Sequence, residues 1–278
     1  MFQKRIYKLL SIAIILAHLS LIGCENNPSE PENAQQPELP PLSSMKIDLN
    51  LFNGTANAAK AADVNTPGAN FNNAALRVLL INATVTLVVV VPVATFAAAV
   101  SQQPKLEADG KWHWVFNVTN NGKNYQADLA GTLDLINAES VWEMRITAPN
   151  NDPALNDFLW YKGRAKLDNT SGEWHVYDHL QPNDGIETLQ INWSHPSETE
   201  ATLEFTIVKP AIPENGDVLT YHVKDNDRSI KLFDNSKNAT IEIFWDAITG
   251  AGYLIDPNYK SGEKSCWDAL KNDTTCSS

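Results

Sequence analysis

The chain has 278 residues, 33 acidic against 21 basic side chains and a formal net charge of −12. That length is enough to bury a sizeable core, and the charge excludes holding nucleic acid or anionic headgroups by electrostatic attraction. Three cysteines, Cys24, Cys266 and Cys276, limit the disulfide framework to a single bridge plus one odd thiol.

Residues 1–24 come first in chain order. Lys4, Arg5 and Lys8 open them, Leu9 to Ile22 is an apolar run interrupted by Ser11, His18 and Ser20, and the segment ends Leu21-Ile22-Gly23-Cys24. This is the layout of a secretory signal, too short and wrongly flanked for a spanning helix. The Leu-Ile-Gly-Cys ending resembles the lipobox of bacterial lipoproteins. The resemblance implies cleavage before Cys24, acyl chains such as palmitate on its thiol, and acylation of its new amine. It also implies the lipid bilayer as a partner, reached through Cys24. Glu25 stands where Asp is the familiar inner-membrane retention signal, so the resemblance implies an outer-membrane address in the cell envelope. Removing residues 1–23 takes away three cations and no anion, so the net charge becomes −15.

Residues 24–45 read as a tether. Pro28, Pro31, Pro37, Pro40 and Pro41 are mixed with Glu, Asn, Gln and Ser, and a segment with so few apolar residues cannot bury enough surface to fold. Residues 46–278 read as a single domain. Lys46 to Leu51 alternates and is expected to be a short strand. A buried helix is expected near 74–100, because Val78 to Val100 carries no charge and is apolar on all sides. A transmembrane helix and a buried strand are the alternatives. A crossing there would place Cys266 and Cys276 in the cytoplasm, where they would stay reduced. Pro92 should kink or break the helix.

From Trp112 the period changes to two. Trp112, Trp114, Phe116 and Val118 share a face, and Tyr125, Ala127, Leu129, Leu133 and Leu135 share the next. The pattern continues through Trp142, Leu159, Trp174, Leu189, Leu203, Leu219, Ile230 and Ile241 to Tyr253 and Ile255, with turn signals such as Asn120-Asn121-Gly122 between runs. The expected fold is mainly β: an antiparallel meander of about eleven strands, curled or closed as a barrel around the apolar helix. The tryptophans, in register with aliphatic neighbours, are expected in the core. Glycines two residues before Trp112 and Trp174 hint at a weak repeat of strand starts.

Chemistry is thinly signalled. Cys266 and Cys276 are expected to form a disulfide that pins the C-terminal tail. His175, Asp178 and His179 lie close in sequence, but two histidines four residues apart on a strand stand about 13 Å apart, too far to share a metal ion. There is no Gly-x-Ser-x-Gly elbow, phosphate loop or His-Glu-x-x-His motif. No metal, cofactor or catalytic residue is therefore expected. The expected role is a non-enzymatic one, structural or binding, in the envelope. The alternatives are a carrier of lipid or another apolar ligand, with Val91 and Phe96 lining its cavity, and a glycan-binding or glycan-cleaving surface protein.

Overall fold

The computed structural model describes residues 35–52, 68–120 and 122–276, without the side chains of 81–91 and 120. Cys24 and the preceding signal-like segment lie outside the described residues. Gln35–Ser278 is one compact unit.

Among the described residues, alternating apolar and polar side chains give one antiparallel sheet of fourteen strands, paired strictly in chain order. These are β1 Lys105–Leu106, β2 Trp112–Asn120, β3 Lys123–Asp134, β4 Glu139–Ala148, β5 Leu155–Lys166, β6 Ser171–Tyr177, β7 Glu187–Ser197, β8 Glu200–Ile207, β9 Val218–Lys224, β10 Asp227–Asp234, β11 Ala239–Asp246, β12 Gly252–Ile255, β13 Ser265–Trp267 and β14 Asp273–Thr274. Strands β2–β12 are the eleven that the alternation marks. The three additional strands have two or three residues, too few to show a period. The sheet is not closed into a barrel. β1 bonds to β2 and β14 to β13, and among the described residues no ladder joins the two ends. Such short terminal strands offer few ladder groups, which also blunts the exposed edges.

Register explains how so many tryptophans fit on one face. Trp112 lies opposite Gly131, Gly131 opposite Trp142, Trp142 opposite Gly163, and Gly163 opposite Trp174. The row continues through Ile191, Phe205, Leu219 and Leu232 to Ile241 on β11. The Trp142 and Trp174 indoles lie over the missing side chains of Gly131 and Gly163. A Cβ on Gly131 would stand 2.5 Å from the Trp142 ring. Gly172 under Trp193 and Gly252 under Trp267 repeat the device. Gly172 is therefore a strand residue beneath an indole. It is not the equivalent of the turn residue Gly110, whose φ is +79°, and the suggested repeat dissolves.

Helix α1 spans Ala69–Ala99, beginning five residues before the expected start, and contains Pro92. Its first turns bury Phe71, Ala74, Ala75 and Val78, and its last turns bury Thr95, Phe96 and Ala99. Leu79 and Leu80 are exposed, so the helix is not enclosed on all sides. Among the described residues, no helix is long and apolar enough to cross a membrane. The helix meets strands near both ends of the sheet, β2 and β3 as well as β12–β14.

Its start is clamped to the C-terminal strands. Asn70 donates to the Cys266 carbonyl at 2.7 Å and accepts from the Tyr259 hydroxyl at 2.9 Å. Arg77 pairs with the buried Asp256 at 2.8 Å. The Cys266–Cys276 disulfide, with its Cα atoms 5.3 Å apart, ties the tail to the same place.

Lys46–Leu51 is not a strand. Short 3-10 turns at Leu42–Ser44 and Asn50–Phe52 lay it on the core together with the last residues of the expected tether: Pro37, Pro40, Met45 and Phe52 are buried and Leu39, Leu42 and Ile47 pack on the core, because these few apolar side chains find partners on the sheet. Phe52 sits edge-on to Trp245, and Ser44 accepts from the Trp174 indole. Its backbone turns to bring Met45 and Phe52 onto the core, so the segment contributes side chains rather than a ladder.

Candidate functional site

Hairpins in a meander alternate between the two rims of the sheet. The β6–β7 and β8–β9 connections therefore share a rim, with β7 and β8 between them. Both are long, and both carry the same local chemistry. Pro182-Asn183-Asp184-Gly185 and Pro213-Glu214-Asn215-Gly216 each form a tight turn with proline early and glycine in the left-handed region, φ +62° and +90°. The Asp184 N–H donates to the Gln181 carbonyl and the Asn215 N–H to the Ile212 carbonyl, each at 3.2 Å. A cleft of about 270 Å³ opens between the two loops.

Two bulges shape its surroundings. In β5, Tyr161 faces Met144 and Leu159 faces Arg145, which leaves Trp160 as an extra residue. In β7, Leu189 faces Val176 and Glu187 faces Tyr177, which leaves Thr188 as another. Bulges re-aim side chains at strand ends. Here the first brings Trp160 to stack on His179 at 5.1 Å between ring centres. The second puts Thr188 in the cleft wall, its hydroxyl donating to the Val176 carbonyl.

The cleft is apolar below and charged at the mouth. Leu189 and Ile207 form the base, Leu180 and Ile212 the lips, and Leu180 is exposed. Asp178 is buried in the wall. Its carboxylate accepts from Lys209 Nζ at 2.8 Å and from the Leu180 N–H at 2.9 Å. Burial pushes the Asp178 carboxyl up. The Lys209 ammonium and the Leu180 N–H outweigh that and hold it below the usual carboxylate value. Burial also holds the His179 imidazole below its usual pKa, so the ring is neutral near pH 7. Glu214 is exposed at the mouth and makes no ion pair among the described residues.

The residues singled out in the sequence are distributed as follows. Asp178 and His179 are in the cleft. His175 is not: it lies in β6 on the other face, bonded to Glu187 at 2.7 Å. Among the described residues no group of histidines, cysteines and carboxylates is placed to hold a metal ion. Phe96 is fully buried with its ring edge-on to Trp174 at 5.5 Å, far into the core. The Val91 side chain lies outside the described residues. Lys209, Ile212 and Glu214 carry no motif of their own. The signal that marks them is the repeated Pro-x-Asx-Gly pattern of the two loops, which doubles a turn on one rim.

A second cleft, about 550 Å³, runs along Leu42–Asn50. Beside it the Ser43 hydroxyl lies 2.9 Å from His195 Nε2. A nucleophile beside a base is half of a hydrolytic constellation, but among the described residues no carboxylate orients the His195 ring. The bond serves to dock the 3-10 turn on β7. Comparison with known proteins adds no relative to this geometry: no family model, no curated protein and no solved structure matches the chain.

Proposed function

We propose that this protein is an outer-membrane-anchored lipoprotein with a non-enzymatic binding role, and that the rim cleft between the β6–β7 and β8–β9 loops is its recognition site. The anchor reading stands on Leu21-Ile22-Gly23-Cys24 and the tether behind it. The observation that favours binding at the rim is its lining: Leu180, Leu189, Ile207 and Ile212 make that cleft apolar, whereas Ser43, Lys46, Asp48 and Asn50 line much of the larger one. The inward face is occupied by Trp114, Trp142, Trp174 and Tyr161, each fully buried, with Phe96 wedged against them. The cleft is apolar, partly open and framed by loops on a rigid sheet, which is the usual setting of a recognition site.

The carrier reading needs a preformed apolar cavity of about 300 Å³ or more. Phe96, one of its two expected lining residues, is core. The glycan reading has a foothold in Phe244 and Tyr253, stacked at 5.2 Å on the outer face, although Lys264 Nζ sits 4.1 Å above the Tyr253 ring.

Metabolic labelling with a fatty acid tests the anchor. Cys24→Ser should abolish incorporation, because no thiol remains to acylate. Equal labelling of variant and parent would overturn the lipoprotein reading. Lipid extraction of the purified protein tests the carrier. Stoichiometric lipid that a fluorescent fatty acid displaces would promote it over the rim cleft.

A further inference from the structure

We infer that the rim cleft takes the end of an apolar chain that terminates in an ammonium group. The inference rests on the reading of the cleft as a binding site and names the ligand chemistry. Its volume of about 270 Å³ lies just below the usual range for whole drug-sized ligands, which suits a chain end. Leu189, Ile207, Ile212 and Leu180 supply an apolar sleeve.

The charges then decide the sign of the terminus. Lys209 is the cation in the wall, held by Asp178 at 2.8 Å, and Lys123, close enough to act on His179, is held by Asn151 at 2.7 Å. Each oxygen of Asp178 already has a partner, one Lys209 and the other the Leu180 N–H. Two groups remain unengaged among the described residues. Glu214 contributes an exposed carboxylate. His179 stacks on Trp160, and no hydrogen bond to its ring nitrogens is formed among the described residues. A neutral imidazole has one nitrogen that accepts. A terminal ammonium brings three donors to these acceptors. A terminal carboxylate would meet Glu214 with like charge and would have to take Lys209 from a buried partner, which leaves that partner uncompensated. The net charge of −12 adds a field of the same sign over the whole surface and favours a cation on approach.

The test is a methyl NMR titration of the full-length protein in lipid nanodiscs. The probes are n-hexylammonium, n-hexanoate and n-hexanol, with empty nanodiscs as the blank. Hexylammonium should shift the methyl groups of Leu180, Leu189, Ile207 and Ile212 and bind about tenfold more tightly than hexanoate, a difference of about 1.4 kcal/mol. Glu214→Gln should remove most of that preference and leave hexanol binding unchanged. Glu214→Lys should reverse it. Equal binding of the ammonium and the carboxylate, or a preference that survives Glu214→Gln, would overturn the cation inference and leave the cleft standing. If none of the three probes shifts these methyl groups, the cleft reading fails as well.

Discussion

The inward face of the sheet and its β6–β9 rim solve opposite problems with the same residue types. On the inward face glycine and tryptophan alternate from strand to strand, so that the largest side chain fills the place of the absent one. At the rim, glycine turns the backbone, tryptophan stacks on His179, and two bulges hold the loops apart around open space. Close packing fixes the first region. The second is fixed by hydrogen bonds and one buried ion pair, and it keeps apolar surface unfilled. The lesson is that recognition surface on this molecule should be sought where the ladder is interrupted rather than where it is most aromatic.

The largest effect expected from breaking this contrast is on the inward face. Trp174→Ala removes an indole that touches Phe96 and Tyr161 and covers Gly163, and should cost about 3–5 kcal/mol. Urea unfolding would measure it. Gly131→Val, aimed at the Trp142 ring, should cost about 1–3 kcal/mol by overpacking. A fully tolerated Gly131→Val would mean that the indole row is loose.

Cys266→Ser comes next. The bridge closes a short loop, so its loss should lower stability by about 2–3 kcal/mol. The loosening should appear first at Asn70 and Arg77, which depend on the C-terminal strands. Thermal unfolding with and without reductant gives the size, and hydrogen exchange gives the place.

At the rim, Lys209→Met leaves Asp178 buried without its cation. Lys209 is itself partly exposed, so the expected cost is about 1–2 kcal/mol, smaller than for a fully buried pair. Glu214→Gln, at the exposed mouth, should change stability by less than about 0.5 kcal/mol.

The smallest effects are on pH dependence, and they differ in sign between regions. His179, held neutral by burial with Lys123 and Lys209 acting the same way and Asp178 against them, has a lowered pKa. The unfolded chain takes up that proton first, so stability is lost as pH falls below about 6.5. His113, on the outer face of β2, is opposed by burial but raised by Asp128 and Asp109, with Glu107 adding to them. Its contribution is complete below about pH 6.5 and disappears as pH rises through its raised value. His179→Gln should flatten the acid side of the stability profile, and His113→Gln the neutral to alkaline side.

How far the sequence discloses this molecule follows from what makes a periodic signal. Strands β2–β12 are long enough to alternate, and their eleven runs are visible as such. The C-terminal bridge is legible once the lipobox resemblance sets Cys24 aside and leaves Cys266 and Cys276 as an even pair. The lengths of β1, β13 and β14 are below one full alternation, so the sheet's true ends are hidden. Closure is a property of register summed over the whole sheet, and no single run carries it. Lys46–Leu51 alternates by chance of composition, while its backbone turns to bring Met45 and Phe52 onto the core. At the site, Asp178 and His179 stand out as titratable neighbours. Their partners arrive from β8 and the following loop, beyond any local motif, and the bulge at Trp160 merges two faces that strict alternation would separate. Leu135, counted with an inward face, lies in a turn and is exposed.

Amide hydrogen exchange across the full-length protein in nanodiscs, with and without n-hexylammonium, tests the contrast most directly. The account predicts the slowest exchange in β3–β7, where the indoles cover glycines, unchanged by the ligand. It predicts added protection confined to residues 177–189 and 207–217. Fast exchange in the indole-bearing strands without ligand, or ligand protection spread over them, would contradict it.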